Sequence, residues 1–155
     1  MPSERLGEGG SMKQATYVSV GFWLATSLFA LQMGFTAYAQ LSLSQVAEAF
    51  EHLGFPDYFR IELSWLKLAG IAVLLAPAPA RLKEWAYAGF AITLGSALYA
   101  HLSVGDGAAK WGWAAGTAVL GALSYFFFRK RDSKGVAAPS KPLAERIPGA
   151  SGQAA

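Results

Sequence analysis

Apolar residues fill this chain in four long runs, three of them without a charged residue. The clearest runs from Tyr17 to Tyr38, inside a charge-free stretch from Gln14 to Ala47. As a helix rising 1.5 Å per residue it covers about 33 Å, against a hydrocarbon core of about 30 Å. The second, from about Tyr58 to Ala76, is interrupted by Arg60, Glu62 and Lys67 but is otherwise too apolar all round for a surface helix in water. It closes at Pro77 and Pro79. The third, Trp85 to Val104, and the fourth, Trp111 to Phe128, contain no Asp, Glu, Lys or Arg. Their ends carry Trp85, Tyr87, Trp111, Trp113 and Tyr125, aromatic types favoured at the bilayer interface. A soluble bundle also has four apolar helices, but each needs a charged face, and three of these have none. The pattern therefore predicts an all-α fold, an integral membrane four-helix bundle.

The segment LSLSQVAEAFEHLGFP between the first two spans behaves differently. Ser42 with Gln45 reads as a capping box, Val46, Phe50 and Leu53 fall on one helical edge, and Gly54 and Pro56 supply the stop. Gln45, Glu48, Glu51 and His52 form the polar side. The prediction is a short amphipathic interfacial helix, either resting on the bundle or serving as the lid of a binding site.

Composition agrees, at 54% hydrophobic and 15% charged, and the placement of charge adds a direction. Of the 13 basic residues, Arg5, Lys13, Arg81, Lys83, Arg129, Lys130, Arg131, Lys134, Lys141 and Arg146 fall on one side of the four spans. Arg60 and Lys110 fall on the other, and Lys67 lies within. The positive-inside rule then expects a multi-pass protein of the cell membrane with both termini cytoplasmic, as an even number of spans requires. The net charge of +3 is thus a topology signal, and no nucleic-acid partner is expected, because the basic tail is short and lacks interleaved aromatics. Ala37-Tyr38-Ala39 looks like a signal-peptidase site, whose cleavage would leave three spans, but the apolar stretch is longer than a usual signal sequence.

Three regions are expected: residues 1–14 as a flexible cytoplasmic N-terminus, 15–130 as the membrane domain, and 131–155 as a disordered cytoplasmic tail. The chain has no Cys and no Asn, so thiol chemistry, cysteine-held clusters and N-glycosylation are excluded for it. Two His residues on separate elements are a poor start for a metal or haem site, and no metal is expected. No complete catalytic or cofactor constellation is present, which leaves enzymatic activity an open question.

One polar cluster is worth locating by depth. The second and third spans are predicted antiparallel neighbours, so Glu62 lies about 6 Å, His101 about 5 Å and Lys67 about 14 Å from the same outer boundary. Glu62 and His101 would pair at that depth, with Lys67 snorkelling outward toward Glu62 or Tyr99. Glu62, Lys67, Tyr99 and His101 then make a candidate intramembrane polar pocket. One reading is a site for a proton or a quinone headgroup, since His titrates near neutral pH and Lys can donate to a carbonyl oxygen. The other is a structural pairing that satisfies buried groups. Glu84 reads as a solvated helix-start carboxylate and Asp106 as a turn residue. Small residues form helix-packing stripes at Gly89, Thr93 and Ala97 on the third span and Gly112 and Gly116 on the fourth, for use within the bundle or in a homo-oligomer.

The blocks HLGFP, Lys-Leu-Ala-Gly of the second span, LKEWAYAGF and Tyr-Ala-His-Leu at the end of the third occur in that order between Phe50 and Asp106. In this order they resemble the DoxX-like family of small four-span membrane proteins. The resemblance implies the fold more than an activity. The family takes its name from a subunit of a thiosulfate:quinone oxidoreductase, and related proteins are associated with redox complexes or membrane-protein assembly. Two functions are therefore expected: a non-catalytic scaffold or assembly partner of a membrane redox or envelope complex, or a quinone-interacting oxidoreductase subunit or small-molecule carrier using the intramembrane Lys/Glu/His pocket. Membrane lipid is a partner of either, and quinone is the one cofactor to consider.

Overall fold

A computed structural model describes the backbone of residues 5–136 and the side chains of residues 14–133. It holds five helices and, among the described residues, no strand: α1 Arg5–Ser42, α2 Ser44–His52, α3 Asp57–Leu75, α4 Ala80–Ser103 and α5 Ala108–Val136. The all-α fold class stands. Of the terminal segments expected to lack structure, residues 1–4 and 137–155 lie outside the described residues, whereas α1 and α5 reach into the remainder at Arg5 and Val136.

Glycine and proline set the helix ends. Gly54 after α2 and Gly105 after α4 have φ of 80° and 73°, the left-handed conformation that a glycine adopts without a Cβ penalty. Each reversal returns two amides to the helix: Phe55 N–H to Phe50 O and Gly54 N–H to Glu51 O, then Asp106 N–H to His101 O and Gly105 N–H to Leu102 O. Pro56 and Pro79, in extended conformations, precede α3 and α4. The capping box at Ser42 does not form. Ser42 is still helical as the last residue of α1, and α2 starts after Leu43 without a side-chain cap, because an N-cap must itself leave the helical conformation.

The four long helices close a ring in which α1 packs on α3 and α5, and α4 on α3 and α5; the α3–α4 seam is the thinnest. One half of the ring is solidly filled. Across it runs a column in which each glycine makes room for a ring: Gly70 of α3 against Phe90 of α4, Phe90 edge-on to Phe29 of α1 at 5.1 Å, and Phe29 against Gly121 of α5. Phe22, Met33, Leu74 and Phe128 extend this core. Its polar groups are paired among themselves. The Ser124 hydroxyl meets that of Thr26 at 2.7 Å and that of Tyr87 at 2.6 Å. Tyr87, expected at the bilayer interface, is thus a buried core residue whose hydroxyl finds a partner inside, as buried phenols require.

Outer faces are apolar. Leu24, Leu28, Leu31, Ile61, Trp65, Leu66, Ile92, Val119 and Phe126 are all exposed, and large exposed apolar surface marks a contact with membrane or partner. Gln14–Ser42 and Ala108–Ser133 are long and apolar enough to cross a membrane.

Candidate functional site

Below α2 the ring is hollow. A cavity of about 610 Å³ lies between the second half of α1, the start of α3, the end of α4 and the start of α5. Val46, Ala49, Phe50 and Leu53 of α2 roof it, so the apolar edge seen in the sequence faces inward over a void. Phe55 and Phe59, stacked with centroids 5.1 Å apart, brace that roof where the chain turns into α3. Met33, Leu63, Leu94 and Ala114 supply apolar wall, and the largely exposed Phe35, Ile92 and Trp113 bring the cavity to the apolar outer surface. Size and lining suit a small-molecule site.

Lys67 is the group that distinguishes it. The side chain comes off the middle of α3, is only 7% exposed and lines the cavity. Among the described residues it has no hydrogen-bond or ionic partner. Every fully enclosed side-chain nitrogen or oxygen among the described residues does have one, so the Lys67 amine is not sealed off but open to the cavity that Lys67 lines. One turn earlier, at a position facing the same way, Ser64 shares its hydroxyl proton between the Arg60 carbonyl at 2.8 Å and Gln40 Oε1 at 3.0 Å. Gln40, buried on α1, also accepts an Arg60 N–H at its backbone carbonyl. This arrangement leaves the Gln40 amide protons without a protein partner beside the cavity.

Asp106 organises the rim. The reversal at Gly105 folds Asp106 back on α4, where Oδ2 accepts from His101 Nδ1 at 2.7 Å. Oδ1 meets Lys110 Nζ at 2.8 Å and His52 Nε2, on the last residue of α2, at 3.2 Å. Hydrogen bonds from Lys110 and His101, with a smaller one from His52, hold the carboxyl well below the usual carboxylate range. The carboxylate therefore ties the roof helix to α4 and α5, and fixes the His101 tautomer with Nδ1 protonated.

Of the four residues placed in the pocket from sequence, Lys67 and His101 line the cavity. Glu62 and Tyr99 do not. Glu62 is exposed on the outer face of α3, and Tyr99 is 75% exposed on that of α4. The expected Glu62–His101 pair is replaced by Asp106–His101, because five residues with one left-handed turn bring Asp106 closer than any register between two helices. Thr93 and Ala97 line the cavity, whereas a Cβ at Gly89, Gly112 or Gly116 would meet open space. The close helix contacts fall instead at Gly21, Gly70 and Gly121. Glu84 is paired rather than solvated alone, with Arg129 Nη1 at 2.5 Å. Sequence reasoning missed Gln40 and the tie at Asp106, although the VGDG turn five residues after His101 was a usable signal for the latter.

The model of the DoxX-like family matches residues 24–127, about two thirds of the chain, from the second half of α1 to within α5. The chain belongs to the DoxX-like family. No curated protein and no solved structure matches it. In this DoxX-like protein the matched region contains the column, the cavity, Lys67 and the Asp106 tie, while the basic end of α5 after Phe127 lies outside it. No group of three or more His, Asp or Glu among the described residues is arranged to hold a metal.

Proposed function

We propose that this DoxX-like protein is a four-span membrane protein whose cavity binds a lipid-soluble small molecule by its polar head, with Lys67 as the anchoring donor. The carrying observation is an unpartnered, buried amine open to a cavity of about 610 Å³. A lysine kept only for structure would have found an acceptor, since an unpaired buried charge is costly. Apolar outer faces on α3 and α4 support spans two and three beside the two helices that qualify by composition alone. Arg81, Lys83, Arg129, Lys130 and Arg131 cluster at the end opposite the cavity, which supports cytoplasmic termini and a cavity near the outer leaflet. A quinone headgroup, with carbonyl acceptors and an apolar tail, is one ligand of this kind.

The test is equilibrium binding of a short-tailed quinone and of a long-chain carboxylic acid to the detergent-purified protein, wild type beside Lys67→Met, with circular dichroism confirming the fold. Saturable binding of either probe, weakened about tenfold or more in the folded variant, is the expected result. No saturable binding of either overturns the reading.

One observation favours a second function, as a non-catalytic scaffold for a membrane redox or envelope complex or for a second copy. Gly112 and Gly116 form a G-x-x-x-G spacing on α5 that no other helix occupies among the described residues, and such spacings let helices approach closely in lipid. Crosslinking at Gly116→Cys in native membranes tests it, and monomeric protein alone in the product would remove it.

A further inference from the structure

The charges on the cavity are all of one sign. Lys67 and Lys110 line it, with the His101 imidazole beside them, and no Asp or Glu does. The carboxylates nearby are engaged or turned away. Asp106 has both oxygens occupied by His52, His101 and Lys110; Asp57 holds Arg60; Glu48, Glu51 and Glu62 are exposed on outer faces. A ligand that brings its own negative charge would complete the site, whereas a neutral carbonyl would leave the Lys67 amine solvated by one dipole and without a counter-charge.

The available donors favour a head with two oxygens. Thr36 spends its proton on Met33 O, and Thr117 spends its own on Trp113 O. Among the buried side chains of the lining that leaves the Lys67 amine and the Gln40 amide, beside the more exposed Thr93 and Ser96 hydroxyls; Gln40 is bonded to Ser64, one turn before Lys67 on α3. A carboxylate offers one oxygen to each, in charge-assisted hydrogen bonds. The remaining wall is apolar, and the volume suits one ligand with a single chain. On the reading that the cavity binds a ligand, we propose that the ligand is a single-chain lipid acid, its carboxylate held by Lys67 and Gln40 and its chain lying along Met33, Leu63, Ile92 and Leu94.

Displacement of a fluorescent long-chain acid by unlabelled competitors of one chain length tests this: the acid, its methyl ester, the corresponding alkyl phosphate, and a quinone with a tail of that length. The acid is expected to compete about tenfold or more better than the ester and the quinone, the size of one hydrogen bond to a charged group. In Lys67→Met the advantage of acid over ester is expected to vanish while the ester binds as before. Lys67→Gln gives the same readout should the methionine variant not fold. An ester or quinone equal to the acid in wild type overturns the proposal while leaving the cavity a binding site. A preference for the phosphate overturns the choice of carboxylate. Failure of every competitor and of the probe to bind overturns the cavity reading itself.

Discussion

The two halves of the helical ring are built from the same residue types, yet one is solid and the other hollow. In the solid half the Gly70–Phe90–Phe29–Gly121 column crosses all four long helices, and the hydroxyls of Thr26, Tyr87 and Ser124 satisfy one another. In the hollow half the helices surround about 610 Å³, a fifth helix lies across the opening, and among the described residues the Lys67 amine and the NH2 of the Gln40 amide have no protein partner. A helical ring needs only one of these halves to hold together. The contrast places stability in the column and leaves the hollow half free to spend its polar groups on something else.

The column is where a small change should do the most harm. A Cβ at Gly70 would lie 2.7 Å from Phe90 Cζ, and the Phe90 ring cannot retreat because Phe29 stands edge-on behind it, itself pressed on Gly121. Gly70→Ala is expected to lower unfolding stability in detergent by about 1–3 kcal/mol, the usual cost of overpacking. Gly116→Ala has open space at its Cβ and is expected to gain up to about 1 kcal/mol from helix propensity. Thermal or denaturant unfolding of both variants checks the pair. Equal losses would mean that the column is not where the ring is held.

The same experiment on the hollow half should run in the opposite direction. Lys67 is buried without a partner, so Lys67→Met removes an unsatisfied group and fills the space with a similar apolar stem. Ligand-free protein is expected to gain about 1–2 kcal/mol of unfolding stability, near the cost of one unsatisfied buried polar group. A loss of stability would make Lys67 a structural residue after all. Gain in stability together with loss of binding is the signature of a group kept for function.

The helices were legible because hydrophobic runs, Gly and Pro act locally. Gly54 and Pro56 mark the end of α2 and the start of α3 as read from the sequence. Lys67 stood out because a charge in the middle of an apolar run is expensive wherever the run is buried. Its surroundings were less legible. Depth along a helix is fixed by counting residues, but direction around it is fixed by packing, and that is why Glu62 and Tyr99, at plausible depths, face outward. Glycine stripes leave the partner unspecified for the same reason. The spacing at Gly112 and Gly116 is as regular as that at Thr117 and Gly121, and only the second pair faces a partner helix, with Phe29 filling the notch at Gly121 and Gln32 reaching Thr117. Asp106 was read as a turn residue, which is correct for its backbone and silent on its side chain.

The smallest expected effect is confined to the roof. Asp106 joins α2 to the body of the protein through His52, and to α4 and α5 through His101 and Lys110. Asp106→Asn keeps the shape and one acceptor oxygen but loses the charge. Amide exchange in Ser44–His52 is expected to quicken a few-fold, while amides around Phe29 and Phe90 keep their protection. Because its hydrogen bonds depress the folded-state pKa of Asp106 below the ordinary 3.8, its contribution is present at neutral pH and is lost only as pH falls through that depressed value. Wild-type protection of α2, corrected for intrinsic exchange, should therefore not fall through titration of Asp106 between pH 7 and pH 5. If protection of α2 in wild type and Asp106→Asn is the same throughout, the roof is held by the apolar contacts of Phe50 and Leu53 alone, and the ionic tie contributes nothing to closing the cavity.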